Sequence, residues 1–228
     1  MNHADEIWNK FCQRLNVVEQ CVPLFLADPG GLVAHRWIGK GETARPVLMR
    51  SPQMEALIVE ITRTLVDDWK SGLNRYDGMI YCMGWLHEKQ MVPLYIGKAE
   101  TVGKGLGNLS ANLKNLATDR SKFARWGDNY AYHIGDLSAC VLPGHALEKQ
   151  TIKYKAWAER LFESTASLTP KLRRPTHFWA TAWDKSMTCV WEELGPTSLA
   201  FLEYLLIGVA GRVSPVLLNR EGISRGSM

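Results

Sequence analysis

Two short apolar segments separated by a polar turn constrain the fold of this chain more than any other feature of its sequence. The first segment runs over Met79–Met83 and the second over Val92–Ile96, with the polar residues His87–Gln90 between them. Short apolar runs on either side of a polar turn are typical of a β-hairpin. The sequence therefore predicts an antiparallel pair of strands, which excludes a purely parallel sheet.

Each predicted strand of this hairpin carries a tyrosine. Tyr81 and Tyr95 are equally distant from Glu88, and side chains along a strand alternate between the two faces of a sheet. An odd-length turn centred on Glu88 would place both phenols on one face, where they could converge on one substrate group. Tyrosine is also an ordinary strand residue that packs across a sheet, so the hairpin alone does not decide between the two interpretations.

A single carboxylate interrupts the apolar segment 199–207. On a helix, the residues that share a face with Glu203 are all apolar: Leu199, Ala200, Leu206 and Ile207. A charge on such a face is costly unless it is paired, protonated or bound to a metal. Glu203 is therefore a candidate metal ligand. A buried ion pair and a helix end that reaches solvent are the alternatives.

Asn219 closes an extended segment that follows this helix. It comes after the residues Ser214–Leu218 and before Arg220, Glu221 and Gly222. An asparagine in this position is common in turns, and by itself it identifies no function.

The remaining periodicities predict an α+β or mixed fold. We expect helices over 5–21, 54–70, 109–118 and 145–163, a Gly-rich loop over 103–107, and strands over 130–141 and 176–183. A last helix is expected to start near Pro196, because proline suits the first helical turn, and to end by Gly211. Strands and helices in this order, with a hairpin among them, indicate an α+β domain.

Composition limits the class of protein. The 228 residues include 46% hydrophobic residues and nine tryptophans, which are enough for a large buried core. A net charge of +4 permits a nucleic-acid partner without requiring one. The cysteines, an odd number with no CxxC pair, match neither a zinc site nor a disulfide framework: Cys12, Cys21, Cys82, Cys140 and Cys189. With no signal-peptide pattern and no apolar run of ~20 residues, we expect a cytoplasmic protein without a membrane partner.

The ordered motifs of residues 76–222 resemble those of the GIY-YIG nuclease family, in particular its restriction endonucleases. The matching segments are Met79–Tyr81, Tyr95–Lys98, the helical Glu203 within FLEYLLI, and SPVLLN ending at Asn219. This resemblance implies a small antiparallel three-stranded sheet flanked by helices. It also implies hydrolysis of DNA phosphodiester bonds with one divalent metal, Mg²⁺ or Mn²⁺.

The resemblance also implies roles for individual residues. Tyr81 would orient or deprotonate the attacking water, and Tyr95 would support it and contact the scissile phosphate. Glu203 would hold the metal, Asn219 would hydrogen-bond within the site, and Lys98 would help to activate water or balance charge. These residue types suit the chemistry, since a hard cation on one carboxylate can neutralise a phosphodiester.

Three departures accompany the resemblance. Met79 stands where the family name has glycine, and the hairpin loop is somewhat longer than the compact family form. The arginine that the family places on the helix after the second motif is missing from 109–116, so Arg120 and Arg125 are the candidates. We choose Arg125 because Phe123 and Trp126 would anchor its backbone.

The sequence leaves three functions open. The first is a type II restriction endonuclease acting on double-stranded DNA, with residues 1–75 as a mainly helical extension that reads DNA, 76–222 as the catalytic domain with an insertion, and 223–228 as a tail. The second is a repair or recombination nuclease that recognises DNA structure. The third is a non-catalytic nucleic-acid-binding module on the same fold. Monomer and homodimer both remain open.

His133, His145 and His177 are scattered and have no metal-ligand spacing.

Overall fold

The computed structural model describes residues 3–103, 107–188 and 195–221. Cys189, residues 104–106 of the Gly-rich loop and the tail 223–228 lie outside these ranges. The α-helices are α1 His3–Arg14, α2 Val17–Gln20, α3 Pro52–Ser71, α4 Ala111–Lys114, α5 His133–Val141, α6 Ile152–Leu161 and α7 Leu199–Val213. The strands are β1 Val22–Pro23, β2 His35–Ile38, β3 Arg45–Leu48, β4 Tyr76–His87, β5 Gln90–Glu100 and β6 Thr176–Asp184.

The described residues form an antiparallel sheet in the order β1-β6-β4-β5 and a separate two-stranded ribbon, β2-β3. This confirms the α+β class and the hairpin. The sheet has four strands rather than three, because Val22 and Pro23 pair with the outer edge of β6. The N-terminal residues 3–75 contain the helices α1, α2 and α3 and the three short strands β1, β2 and β3. No helix in the described ranges is long and apolar enough to cross a membrane.

A β-bulge in the hairpin sets the orientation of Tyr95. His87 pairs with Gln90, so the turn has two residues and not the odd number expected from the sequence. A regular ladder from that turn would place the two tyrosines on opposite faces. Instead, Gly84 pairs with Pro93 and Met83 with Tyr95, which leaves Leu94 as an extra residue. The extra residue returns Tyr95 to the face of Tyr81.

The two faces of the sheet are covered by different helices. On the tyrosine face, Met83 and Phe178 belong to a buried core that includes residues of α3, α5 and α6. On the opposite face, Cys82 and Trp179 pack with α1 and α7. Both faces are buried, which explains why β4 shows no alternation of apolar and polar residues.

Several predicted elements are confirmed and others are wrong. Helix α3 begins after Ser51, whose side chain accepts a hydrogen bond from the Met54 amide, and ends at Gly72 in the left-handed conformation. Strand β6 is found where it was expected. The predicted strand over 130–141 is wrong, because this region contains helix α5. All nine residues of α5 are buried, and a helix buried on every side lacks the periodicity that distinguishes it from a buried strand.

Two of the predicted helices are divided, and one is shorter than expected. The helix expected over 5–21 is interrupted at Asn16, which has a φ of 49°. The helix expected over 145–163 consists of a 3-10 turn at Leu147–Lys149 followed by α6. The helix expected over 109–118 is reduced to the four residues of α4.

Gly97 lies directly beneath the ring of Tyr81, its partner across the hairpin. A Cβ atom on Gly97 would approach the Tyr81 hydroxyl to 2.6 Å and two ring carbons to 2.7 Å. We therefore expect Gly97→Ala to displace the Tyr81 ring and to lower the free energy of unfolding by about 1–3 kcal/mol, measured by urea denaturation. Gly103→Ala is the control, because a Cβ there meets its nearest neighbour at an ordinary 3.5 Å. Equal stability of the two variants would contradict this account of Gly97.

Candidate active site

The largest concentration of the candidate residues lies in one open cleft of about 510 Å³ beside the edge strand β5. Five of the six residues expected from the sequence line it: Tyr81, Tyr95, Lys98, Arg125 and Glu203. They come from four separate parts of the chain, namely β4, β5, the loop before α5, and α7. The sixth, Asn219, lies elsewhere.

The two phenols lie side by side at the floor of the cleft. Their ring centroids are 6.4 Å apart, and Tyr81 is almost completely buried. Burial raises the pKa of Tyr81 well above its usual value, and the charge of Arg125 opposes this shift. Burial and then Glu203 raise the pKa of Tyr95 to about 12, again against Arg125. Both tyrosines are therefore protonated in the free protein near neutral pH.

His133 connects Tyr81 to a third tyrosine. Its Nε2 atom is 2.9 Å from the Tyr81 hydroxyl oxygen, and its Nδ1 atom is 2.7 Å from that of Tyr154. The ring is buried and stacked on Trp157. Burial, and then the charges of Lys153 and Arg125, hold the pKa of His133 well below its usual value. A neutral imidazole has one donor and one acceptor nitrogen, so one of the two phenols donates to His133 and the other accepts from it.

His133 is not among the residues predicted from the sequence, where it is one of several scattered histidines and falls in the predicted strand over 130–141. The only signal in the sequence is a lone histidine ahead of an apolar segment, which is a weak one. Its hydrogen-bond partners are 52 residues before it and 21 residues after it, so the connection exists only in the folded chain.

Arg125 reaches the cleft from a tightly constrained loop and not from a helix. Ala124 and Arg125 have φ values of 50° and 66°, in the left-handed region that side chains other than glycine seldom adopt. The buried rings of Phe123 and Trp126 flank this pair, and the Arg125 carbonyl accepts a hydrogen bond from the His133 amide at 2.9 Å. Arg120, in a 3-10 turn, does not line the cleft. Consecutive residues in this conformation store backbone strain, which is common at functional sites.

Glu203 is half-buried and forms no ion pair in the described part of the chain. Helix α7 packs on the face of the sheet opposite to the tyrosines, and Glu203 reaches the cleft beside β5. Burial raises the pKa of this carboxyl, while the Lys98 ammonium and the Lys98 backbone amide lower it. Lys98 itself forms an ion pair with Glu100. A carboxylate facing an open cleft without a paired cation is suited to bind a metal.

Asn219 stabilises the edge strand instead of lining this cleft. Its Oδ1 atom accepts a hydrogen bond from the Ile96 amide at 2.9 Å, and its Nδ2 atom donates to the Ile96 carbonyl at 2.8 Å. The Leu218 amide donates to the carbonyl of the bulged residue Leu94 at 2.7 Å. The segment before Asn219 therefore lies along the outer edge of β5 and satisfies backbone groups next to Tyr95.

The donor set limits which metal ions the cleft could hold. No group of three or more His, Cys, Asp or Glu side chains suited to a metal occurs within 3–103, 107–188 and 195–221. Structural zinc sites need about four such ligands. Magnesium requires fewer protein ligands, because it usually keeps several waters and binds one or two carboxylates together with substrate phosphates. Glu203 therefore fits a magnesium ion better than zinc.

No family model, no curated protein and no solved structure matches this chain.

The neutral state of His133 predicts a dependence of stability on pH. Because its folded pKa lies below its unfolded value, His133 contributes full stability above pH ~6.5 and loses it as the pH falls. We expect the free energy of unfolding to fall between pH 7.5 and 5.5, with His133 responsible for about 1.4 kcal/mol of the fall. Urea denaturation at both pH values, on the wild type and His133→Gln, measures this contribution.

His133→Gln is expected to have a lower free energy of unfolding than the wild type at pH 7.5. Its free energy of unfolding should also decrease less when the pH is lowered to 5.5. His145 and His177 also have lowered pKa values because of burial, so His145→Gln provides a second histidine for comparison. An equal loss on acidification in the wild type and His133→Gln would contradict the neutral, buried state of His133.

Proposed function

We propose that this protein is a magnesium-dependent DNA endonuclease that resembles the GIY-YIG family. The observation that carries the proposal is the convergence of five residues, expected from the family motifs, on one cleft. Tyr81 and Glu203 are more than half of the chain apart in sequence, and they approach one another only because α7 packs beside β5. Convergence of this kind is not required by packing alone.

The charges of the cleft suit a phosphodiester. Arg125 and Lys98 are cations at its wall, and a guanidinium can bind two phosphate oxygens at once. Glu203 would hold the magnesium ion, which when bound supplies positive charge to the phosphate oxygens and the leaving group. Arg125 would stabilise the negative charge on the phosphate oxygens as the water attacks.

Tyr81 is suited to accept a proton from the attacking water if it can lose its own. In the tautomer with the proton on Nδ1, His133 accepts the Tyr81 hydroxyl proton at Nε2 and donates to Tyr154. The water proton would move to the Tyr81 oxygen while the phenol proton moves to His133. Burial of His133 and the charge of Arg125 oppose formation of an imidazolium. The negative charge of a bound phosphate would offset that opposition.

Two observations bear on the choice among the three functions. The lack of an arginine on the helix after the second motif favours the non-catalytic interpretation, but Arg125 lines the cleft from a loop, which favours catalysis. The β2-β3 ribbon carries Trp37, which is 60% exposed, and Arg36, which pairs with Asp128 in the loop that contains Arg125. A two-stranded ribbon fits the major groove of DNA, so this ribbon supports a restriction enzyme that reads a base sequence.

The first experiment compares substrates. We expect purified protein to cut plasmid and genomic DNA into discrete fragments in Mg²⁺, and not in EDTA. Cleavage of flap or bubble DNA alone would favour the repair or recombination nuclease. Binding without cleavage on every substrate would favour the non-catalytic module.

Glu203→Gln tests the assigned metal ligand. The substitution keeps the shape of the side chain and removes its charge, so we expect the cleavage rate to fall by at least about a hundredfold, because the metal supplies much of the stabilisation of the transition state. DNA affinity should be unchanged or higher. The melting temperature should be unchanged or higher, because a partly buried carboxylate without an ion pair is lost.

Glu60→Gln, at an exposed position of α3, is the matched control and should retain full activity. Cleavage rate, DNA affinity and melting temperature are measured on the same preparations. A Glu203→Gln protein that is destabilised yet cuts at the wild-type rate per folded molecule would exclude Glu203 as a metal ligand.

A further inference from the structure

A second cleft of about 290 Å³ lies beside the first. Tyr95 and Glu203 line both clefts and therefore form the wall between them. The other polar residues around the second cleft are Lys153, Tyr204, Asn219, Arg220 and Glu221. Its two cations, Lys153 and Arg220, were not selected as site residues from the sequence motifs.

Lys153 is held at this cleft by aromatic rings. Its Nζ atom is 3.2 Å from the Tyr95 hydroxyl oxygen and lies 4.6 Å from the centre of the Tyr95 ring. It is also 5.1 Å from the ring centre of Tyr154 and 5.2 Å from that of Trp157. The ammonium thus points into the site and not along the surface of α6.

Lys153 has no ion-pair partner among the described residues. Burial, and then the charge of Arg125, lower the pKa of Lys153 to about 8; Arg220 adds to this shift, and Asp136 and Glu203 oppose it. The side chain of Asp136 is already an acceptor for the Ala131 amide. Cation–π contacts replace part of the lost hydration of an ammonium, but they do not neutralise it. Among the described residues no carboxylate is in ion-pair contact with Lys153, although Glu203 and Glu221 also line the cleft, so the ammonium is available to an anion.

We propose that the second cleft binds the phosphodiester next to the scissile one, with Lys153 and Arg220 as its cationic ligands. This inference rests on the proposed function, because it requires a DNA strand in the first cleft. The shared wall of Tyr95 and Glu203 is the structural reason for choosing a neighbouring phosphate of the same strand. The strand would pass over that wall, with one phosphate on the side of Arg125 and the next on the side of Lys153.

Two further contacts agree with a nucleotide in this position. The Tyr204 ring is 57% exposed at the rim, where a base or sugar could pack on it. The Lys153 ammonium donates to the Tyr95 oxygen, which directs the Tyr95 hydroxyl proton toward another acceptor, such as a phosphate oxygen. Glu221 is exposed to solvent at the rim, so its repulsion of a phosphate is screened by salt.

The salt dependence of DNA binding tests the inference. A labelled mixed-sequence duplex is titrated in EDTA, which prevents cleavage, at several salt concentrations. Each phosphate neutralised in the complex contributes about −0.9 to the slope of log K against log salt. We expect Lys153→Met to make the slope shallower by about 0.9, while its melting temperature is unchanged or higher. Lys153→Arg keeps the charge and should keep the slope.

Lys155→Met is the matched control, because Lys155 is exposed two residues further along the same helix, and its slope should equal that of the wild type. Arg220→Gln provides a second variant at an exposed position, and it too should give a shallower slope. Unchanged slopes for both Lys153→Met and Arg220→Gln would overturn the inference while leaving the endonuclease intact. The inference would also be overturned if Lys153→Arg made the slope as shallow as Lys153→Met does. Lys153 would then act only through its contact with Tyr95. A wild-type protein that binds no DNA would instead refute the proposed function, and this inference with it.

Discussion

The β-bulge at Leu94 is the constraint on which the candidate site depends. A two-residue turn fixes the register of the hairpin from one end, and that register alone would direct Tyr95 toward the helices α1 and α7. The extra residue reverses the orientation of every side chain beyond it. A bulge leaves backbone groups without partners in the ladder, and here the Leu218 amide binds the carbonyl of Leu94. Asn219 then binds both backbone groups of Ile96, so the end of the chain stabilises the irregular strand that carries Tyr95.

Around this hairpin the protein arranges polar groups inside an aromatic environment. Trp126 and Trp157 pack against His133, and Phe178 packs against Tyr81. Hydrogen bonds between buried groups are stronger in such surroundings than in water, and an unpaired group there is costly. This explains why Tyr81, His133 and Tyr154 are joined in one chain of hydrogen bonds. The cations Arg125 and Lys153 lie at the solvent side of this cluster, where a phosphate can reach them.

The carboxylate of Glu203 shows how an apolar helix can serve a polar site. One face of α7 is buried against β4, β5 and α1, so its position is determined by burial of apolar side chains. Glu203 lies at the open edge of β5, where the Lys98 ammonium and amide reduce the cost of holding a charge on the partly buried side of the helix. An edge strand usually needs protection against pairing with other chains. In this protein the C-terminal segment covers part of that edge and the cleft occupies another part.

The sequence by itself determined most of the local elements and the identity of the candidate site residues. Apolar runs, caps and turn residues predicted the hairpin, α3, β6 and α7, and the anomalous Glu203 was visible because it breaks an apolar helical face. The tertiary structure decided the bulge that orients Tyr95, the helical state of α5, the partners of His133 and the loop conformation that brings Arg125 to the cleft. The physical reason is that these features depend on contacts between residues far apart in the chain. The alternation of side chains along a strand can be predicted from the local sequence, but the extra residue Leu94 is stabilised by a distant segment of the chain. Helix α5 is buried on all sides, so it has no polar face by which the sequence could identify it.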